Sequence, residues 1–179
     1  MHIEVWRSVP AARVADDFGA IVRSDRVQCV LTTVASHGGI VLAATARDEV
    51  RGYATLLPSS ALRRERWADL PDTFELGSIE VARSSRGHGV GTALLAQIES
   101  TLPVDRLALF ARAVASHWEA AFAKLTPVEY RRMLLRMLGR IGFERWDTND
   151  PDVEFLAVRA GKNLPTRSLL ALMERAQIG

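Results

Sequence analysis

Apolar positions along the chain recur in two periods, one of two residues and one of about three and a half, and their succession predicts a mixed α/β architecture. His2 to Ser8 reads as a first strand, ended by Pro10. Helical spacing predicts helices over about Ala11–Val22 and Arg26–Ser36. A Gly38-Gly39 turn leads into the β-compatible run Gly39–Ala46. A tight turn at RDEV then leads into Val50–Pro58, so that the two runs read as an antiparallel hairpin. Ser59 and Ser60 can cap a short charged helix through ALRRERWADL, closed by Pro71-Asp72. Phe74–Ala82 is the next strand, followed by a glycine-rich loop, a helix over about Val90–Thr101 and a strand over Arg106–Val114. Pro127 suits the first position of a helix that runs to about Arg140 and is ended by Gly142. Strands in FERWDT and VEFLAVRA and a final helix over about 165–177 complete the pattern. There are no repeats or linkers, and the expectation is one α/β domain over residues 1–179, with its core at about 40–160.

Composition narrows the setting more than the function. The 179 residues are 48% hydrophobic and 25% charged, enough to bury a core without staples. The formal net charge is only +2, and the arginines are spread along the chain without a reading motif, which argues against nucleic acid as a partner. A lone cysteine, Cys29, excludes an internal disulfide or a cysteine zinc site, and no metal is expected; a reducing, cytoplasmic compartment fits. Glu4, Arg7 and Arg13 interrupt any secretory signal near the start. Val27 to Ala46 carries no formal charge, but Gln28, Thr32, Thr33, Ser36 and His37 and the glycine pair make it a buried helix, turn and strand rather than a membrane span.

The chemistry concentrates in IEVARSSRGHGVGTALLAQIE, where a strand passes through an arginine and three glycines into a helix. A dinucleotide fingerprint requires G-x-G-x-x-G with an acid about twenty residues on, and here the third glycine comes one residue early. A Walker loop requires G-K-[ST], and no lysine is near. What remains is Arg86 with glycines at 87, 89 and 91 before a helix start. Glycines let a ligand approach the main chain, the helix start offers free N–H groups, and arginine adds a cation, a combination suited to a pyrophosphate. A plain glycine-rich turn linking strand to helix is the alternative.

RGHGVG after IEV and before TALL resembles the acetyl-CoA loop of the GNAT N-acetyltransferases, spelled Arg-x-x-Gly-x-Gly, and RIGF at 140–143 resembles a second landmark of that family. The resemblance covers about Ile40–Ala160. It implies the GNAT acyl-CoA N-acyltransferase fold, a mixed, mostly antiparallel sheet flanked by helices, with acetyl-CoA as co-substrate and an amine as acceptor. It also implies cofactor contacts at Ile79, Val81, Arg86, Gly87, His88, Gly89, Val90, Gly91 and Thr92, with the Val81 N–H polarising the thioester carbonyl. RGYATLLP, ERWADLPDTFELGSIEV, SHWE, TPVEYRRMLLRMLGRIGFERWDTNDP and RAGKN are similar to the acetoin-utilisation branch of that family. That branch implies a protein lysine as acceptor, such as one in acetyl-CoA synthetase. A small amine, or a non-catalytic acyl-CoA-binding regulator, are the other readings.

Acetyl transfer to a lysine needs a base, because the amine is protonated at neutral pH. Strict alternation would put Glu75, Gly77, Ile79 and Val81 on one face of their strand and Leu76, Ser78 and Glu80 on the other. Glu75 shares the position of the family's base, and Glu80 is its rival. The family's acid is a tyrosine four residues before the glycine of the Gly-Phe pair; Leu138 stands there, and Arg131 stands where the family often has asparagine. Tyr130 and His117 are the remaining proton donors nearby in sequence. Arg132, Arg136 and Arg140 form a stripe that reads as a solvated face, or as a site for an acidic partner or the cofactor's 3′-phosphate.

Overall fold

The computed structural model describes residues 1–19, 22–62 and 66–177. Among these, the strands are β1 (His2–Trp6), β2 (Arg13–Val14), β3 (Ile40–Ala46), β4 (Glu49–Pro58), β5 (Thr73–Val81), β6 (Ala108–Ala113), β7 (Glu144–Trp146) and β8 (Phe155–Ala160). The α-helices are α1 (Ser24–Ser36), α2 (Val90–Thr101), α3 (Pro127–Gly139) and α4 (Thr166–Gln177). One sheet runs in the order β1-β3-β4-β5-β6-β8-β7, with β2 beside β4. Every neighbouring pair along that order is antiparallel except β5 with β6. The predicted hairpin closes through Arg47 and Asp48, both at positive φ.

Three apolar clusters hold the sheet. On one face, α2 and α3 cover Ile40, Leu42, Ala54, Leu56, Leu76, Leu109 and Phe155, with Leu94, Leu95 and Ile98 from α2 and Leu138 from α3. On the opposite face, Val27, Leu31 and Val34 of α1 pack with Val41, Ala43, Val50 and Tyr53. On that same face, Leu172 and Ala176 of α4 pack with Phe110, Leu156 and Val158, and with Leu62, Trp67 and Leu70 from the β4–β5 connection. The two clusters on this face flank the centre of the sheet, where β4 and β5 meet. α3 begins on a capping box, in which the Thr126 hydroxyl accepts from the Glu129 N–H and the Glu129 carboxylate accepts from the Thr126 N–H.

Two expected helices give way to tertiary contacts. Ala11–Val22 is extended and turning wherever it is described; Ala20 and Ile21 lie outside the described residues. The end of β4 offers backbone groups that Arg13 and Val14 pair with in parallel, and Ala15 and Phe18 reach the α1 cluster from that extended path. A helix would leave the β4 edge unpaired, so pairing overrides helical spacing. The charged helix expected after Ser59 is, among described residues, one 3-10 turn at Ser59–Ala61 and further turns at 66–69, with Asp69 and Asp72 at positive φ. Trp67, Leu62 and Leu70 are all buried there, packed with Phe110, Leu156 and Leu172. Arg63, Arg64 and Glu65 of that expectation lie outside the described residues.

α2 sits close enough to the sheet that Gly52 of β4 has room for no side chain: a Cβ there would lie 2.9 Å from Val90 Cγ1 and 3.2 Å from the Glu80 carbonyl oxygen. Gly52→Ala is expected to lower stability by about 1–3 kcal/mol, the usual cost of overpacking. Urea denaturation of the two proteins measures it, and equal midpoints would show that α2 can shift away freely.

Candidate active site

The centre of the molecule is a parting between two strands. β5 and β6 pair only at Thr73–Glu75 with Ala108–Phe110, and beyond Glu75 they diverge, while β5 continues to Val81 against β4 and β6 continues to Ala113 against β8. The result is a V-shaped cleft in the sheet with Glu75 at its apex. Strand geometry fixes what faces it. Ser78 N–H donates to Thr55 Oγ1 at 3.0 Å and Ala82 N–H donates to the Arg51 carbonyl at 2.8 Å, both toward β4. Successive residues point their main-chain groups to opposite sides, so the Ile79 and Val81 N–H groups point toward the cleft.

The side-chain faces of β5 differ from strict alternation, and the reason is a bulge. Thr55 pairs with Ser78 but Leu56 pairs with Leu76, so Gly77 is an extra residue in β5. The bulge turns Glu75, Ser78 and Glu80 onto one face, that of α1 and α4, and leaves Leu76, Ile79 and Val81 on the face of α2 and α3. Glu75 and the pair Ile79 and Val81 are therefore on opposite faces of the sheet and meet through the cleft between β5 and β6.

On the α2 face lies the glycine loop. Gly87 and Gly89 take positive φ of 78° and 79°, and a Cβ at either would meet no atom within 4 Å, so the loop borders open space. Gly89 is the N-cap of α2, and Ala93 N–H is bonded to its carbonyl. The N–H groups of Val90, Gly91 and Thr92 in that first turn have no acceptor within the helix, and the helix dipole adds partial positive charge. His88 stands exposed between the two glycines. Around Gly91, Met137 Sδ, Val81 Cγ2 and Ile79 Cδ1 would all lie within 4 Å of an added Cβ, so these side chains converge where the cleft meets the loop. Arg140 reaches back from α3 to Thr92 Oγ1 at 3.4 Å. This arrangement can hold a phosphate-bearing ligand on main-chain donors and lead a flexible arm into the parting.

Arg86 is turned inward. Its Nε donates to the Val81 carbonyl at 2.9 Å, and one terminal nitrogen donates to Glu119, a residue of the loop between β6 and α3. Glu119 also takes a bond from Arg83 Nη2 at 2.8 Å. Two of the guanidinium's edges are thus committed to the protein.

The opposite face carries the titratable groups. Glu75 is 4% exposed and accepts from Arg112 Nε at 2.7 Å. The Thr55 and Ser78 hydroxyls are 2.9 Å apart, and Glu80 follows opposite Tyr53. Burial, with the charge of Glu119 adding, pushes the Glu80 carboxyl above the ordinary carboxylate range against the Tyr53 hydroxyl and Arg86, which pull it down. On the α3 side, burial likewise pushes the Tyr130 hydroxyl up, where it stacks on Trp118 with ring centroids 5.6 Å apart. Leu138 is buried in the α2–α3 cluster, His117 sits in a 3-10 turn, and Arg131 pairs with Glu154 at 2.8 Å. Arg132, Arg136 and Arg140 are exposed along α3.

Sequence reading missed Arg112 and Glu119. Arg112 left one trace, a cation within the apolar strand RLALFARAV, which needs a buried anion from a neighbouring strand. Glu119 left only its place in SHWE, with nothing in that irregular stretch to tie it to Arg83 or Arg86. No helix among the described residues is long and apolar enough to cross a membrane.

A model of the acetyltransferase (GNAT) family matches residues 12–121. The acetoin utilization protein AcuA of Bacillus licheniformis is 28% identical over 136 residues, or 73% of this chain. That of Bacillus subtilis is 30% identical over 138 residues, or 74% of this chain. Both matches span 65% of the relative's own length. Among solved structures, an acetoin utilization protein from Exiguobacterium sibiricum superposes with a TM-score of 0.85 at 22% identity, over 93% of this chain and 82% of its own. An aminoglycoside 6′-N-acetyltransferase complexed with coenzyme A superposes with a TM-score of 0.50 at 15% identity, over 76% and 81% of the two chains. These likenesses show the fold.

The raised carboxyl of Glu80 makes stability depend on pH. A carboxyl that holds its proton more tightly when folded costs stability as the pH rises from its unfolded pKa through its folded one. Glu80→Gln is expected to raise Tm at about pH 7.5 and to lose that advantage near pH 4, below the ~4.3 of an unfolded glutamate. Thermal melts at both pH values test this; a gain of equal size at both would remove charge burial as its cause.

Proposed function

Because the chain belongs to the GNAT acetyltransferase family, we propose that it transfers an acetyl group from acetyl-CoA to an amine, the acceptor being a protein lysine such as one in an acyl- or acetyl-CoA synthetase. The observation that carries the reading is the parting of β5 and β6, which sets free N–H groups on the cofactor side of a buried glutamate. Support for a protein acceptor comes from the resemblance to the acetoin-utilisation branch and from the two Bacillus relatives that bear that name.

The residues divide the work by face. Main-chain donors from Gly87 to Thr92, with His88 beside them and Arg86 framing the strand end, hold the pyrophosphate. Ile79 and Val81 line the arm's path with their side chains, and the Val81 N–H donates to the thioester carbonyl as negative charge grows on its oxygen. Bound acetyl-CoA supplies an activated acyl group whose carbonyl carbon accepts a nucleophile.

Glu75 accepts a proton from the acceptor ammonium, whose ordinary pKa of ~10.4 keeps it charged at neutral pH. The freed amine nitrogen forms the new C–N bond, the C–S bond breaks with its electron pair leaving on sulfur, and the second proton shed by the nitrogen ends on that sulfur, so the products are the amide and the free thiol. Arg112 holds the Glu75 carboxylate in one orientation at 2.7 Å, which fixes where the ammonium must enter. Leu138 donates no proton to the departing sulfur. A thiolate is a stable leaving group near its own pKa, so the step proceeds without the family's tyrosine, or with a proton from Tyr130. Acetyl-CoA as donor and one exposed thiol, Cys29, suit a cytoplasmic setting.

The test is acetyl transfer from acetyl-CoA, followed by thiol release, with a purified acetyl-CoA synthetase and a polyamine panel as acceptors. Glu75→Gln is expected to lower kcat about a hundredfold or more near pH 7, the size of a general-base contribution. The deficit should narrow at high pH, where the amine deprotonates unaided. Full kcat in the variant at both pH values would remove Glu75 from the mechanism. Transfer to polyamines alone would move the acceptor to small amines, and tight CoA binding without any transfer would favour the regulator.

A further inference from the structure

The open end of the cleft is bridged by a group that the proposed chemistry does not use. β5 ends at Val81 and β6 at Ala113, and from there the chain runs as the loop that leads to α3. Glu119 of that loop is held on three sides, by Arg83 and Arg86 just beyond β5 and by Gly19. Arg83 donates to it at 2.8 Å, Arg86 donates to its other oxygen, and its carboxylate lies against Gly19, where a Cβ would come within 2.5 Å of Oε2. Phe122 of the same loop lies under both guanidinium groups, 4.4 Å from that of Arg83 and 5.1 Å from that of Arg86. The Glu119 side chain is only 11% exposed, while those of Arg83 and Arg86 are 36% and 30% exposed, so the carboxylate is sheltered and the two guanidinium groups still meet water.

Arg86 carries the consequence to the cleft. Its Nε donates to the Val81 carbonyl at 2.9 Å, and that carbonyl belongs to the residue whose N–H points toward the parting. Two guanidinium groups this close repel each other unless an anion lies between them. Without Glu119, Arg86 would turn out to water and the last residue of β5 would lose the donor that fixes it. The loop would also lose its charged anchor across the cleft.

We infer that Glu119 is a positioning residue for cofactor binding. It holds Arg86 on the Val81 carbonyl and closes the open end of the cleft, so that the cofactor arm is enclosed between β5, β6 and this loop. The inference rests on the reading of the cleft as a coenzyme A site. It assigns Glu119 no proton transfer and no contact with the reacting atoms.

The experiment is titration of the protein with coenzyme A by calorimetry, together with kcat and KM for acetyl-CoA. Glu119→Gln keeps the shape and removes the charge; it is expected to raise the Kd for coenzyme A and the KM about tenfold or more, with kcat at saturation within about twofold. Glu119→Asp should recover part of the loss. Gly19→Ala leaves the carboxylate in place but pushes it off its seat, and should weaken binding in the same direction. Circular dichroism and Tm establish that each variant is folded. A folded Glu119→Gln that binds coenzyme A as tightly as the parent, or more tightly, overturns the inference, as does a loss of kcat and Tm with Kd unchanged. If the parent protein itself fails to bind coenzyme A, the reading of the cleft falls first and this inference falls with it.

Discussion

An interior strand with a bare edge is the constraint around which this molecule is arranged. A sheet normally pairs each main-chain donor and acceptor with a neighbour, and an unpaired buried edge costs about as much as the hydrogen bonds it lacks. Here β5 gives up β6 after Glu75 and keeps β4, so its far half presents polar main-chain groups in the middle of the sheet. Such an edge can recognise an extended ligand as it would a further strand. It persists because everything around it is held independently: β6 by β8, β5 by β4, and both by the α2–α3 cluster beneath.

The same parting separates two environments. On the α2 face, Ile79, Val81 and Met137 converge on Gly91 next to the main-chain donors of the loop, a setting that suits an apolar arm with an anionic end. On the other face, polar groups interrupt the apolar packing between the α1 and α4 clusters: Glu75 with Arg112, Ser78 with Thr55, Glu80 beside Tyr53. Buried charges and hydroxyls of this kind weaken a core compared with apolar residues of equal volume. They stand where β5 and β6 part, the place at which the proposed proton transfer would occur. One extra residue, Gly77, sets this division, since the bulge moves Ser78 and Glu80 to the face of Glu75.

Much of this was legible in the chain. The hairpin β3–β4, the strand–loop–helix from β5 into α2, α3 with its capping threonine and proline, and the last strand pair all follow from periodicity and from residues with strong local preferences. RGHGVG announced a glycine turn at a helix start, and the loop has that main-chain geometry, with Gly87 and Gly89 at positive φ and Gly89 as the N-cap of α2. The two helices that did not form had apolar residues at the right spacing. They lost to an available sheet edge at Glu49–Val50 and to the burial of Trp67 under α4, neither of which is a local property.

Local chemistry therefore determined most of the elements, the glycine loop and the family's landmarks, because dihedral preference, capping and side-chain period act within a few residues. Long-range pairing decided the rest. Strict alternation put Glu75 on the face of Ile79 and Val81, yet the bulge opposite Thr55 and Leu56 put it on the other, and only the register of β4 against β5 could decide that. The partners Arg112 and Glu119 lie 37 and 33 residues from Glu75 and Arg86, and no pattern in the chain brings either pair together. Charge pairs across such distances are chosen by the folded backbone, which is why the site's loop could be read in advance and its electrostatics could not.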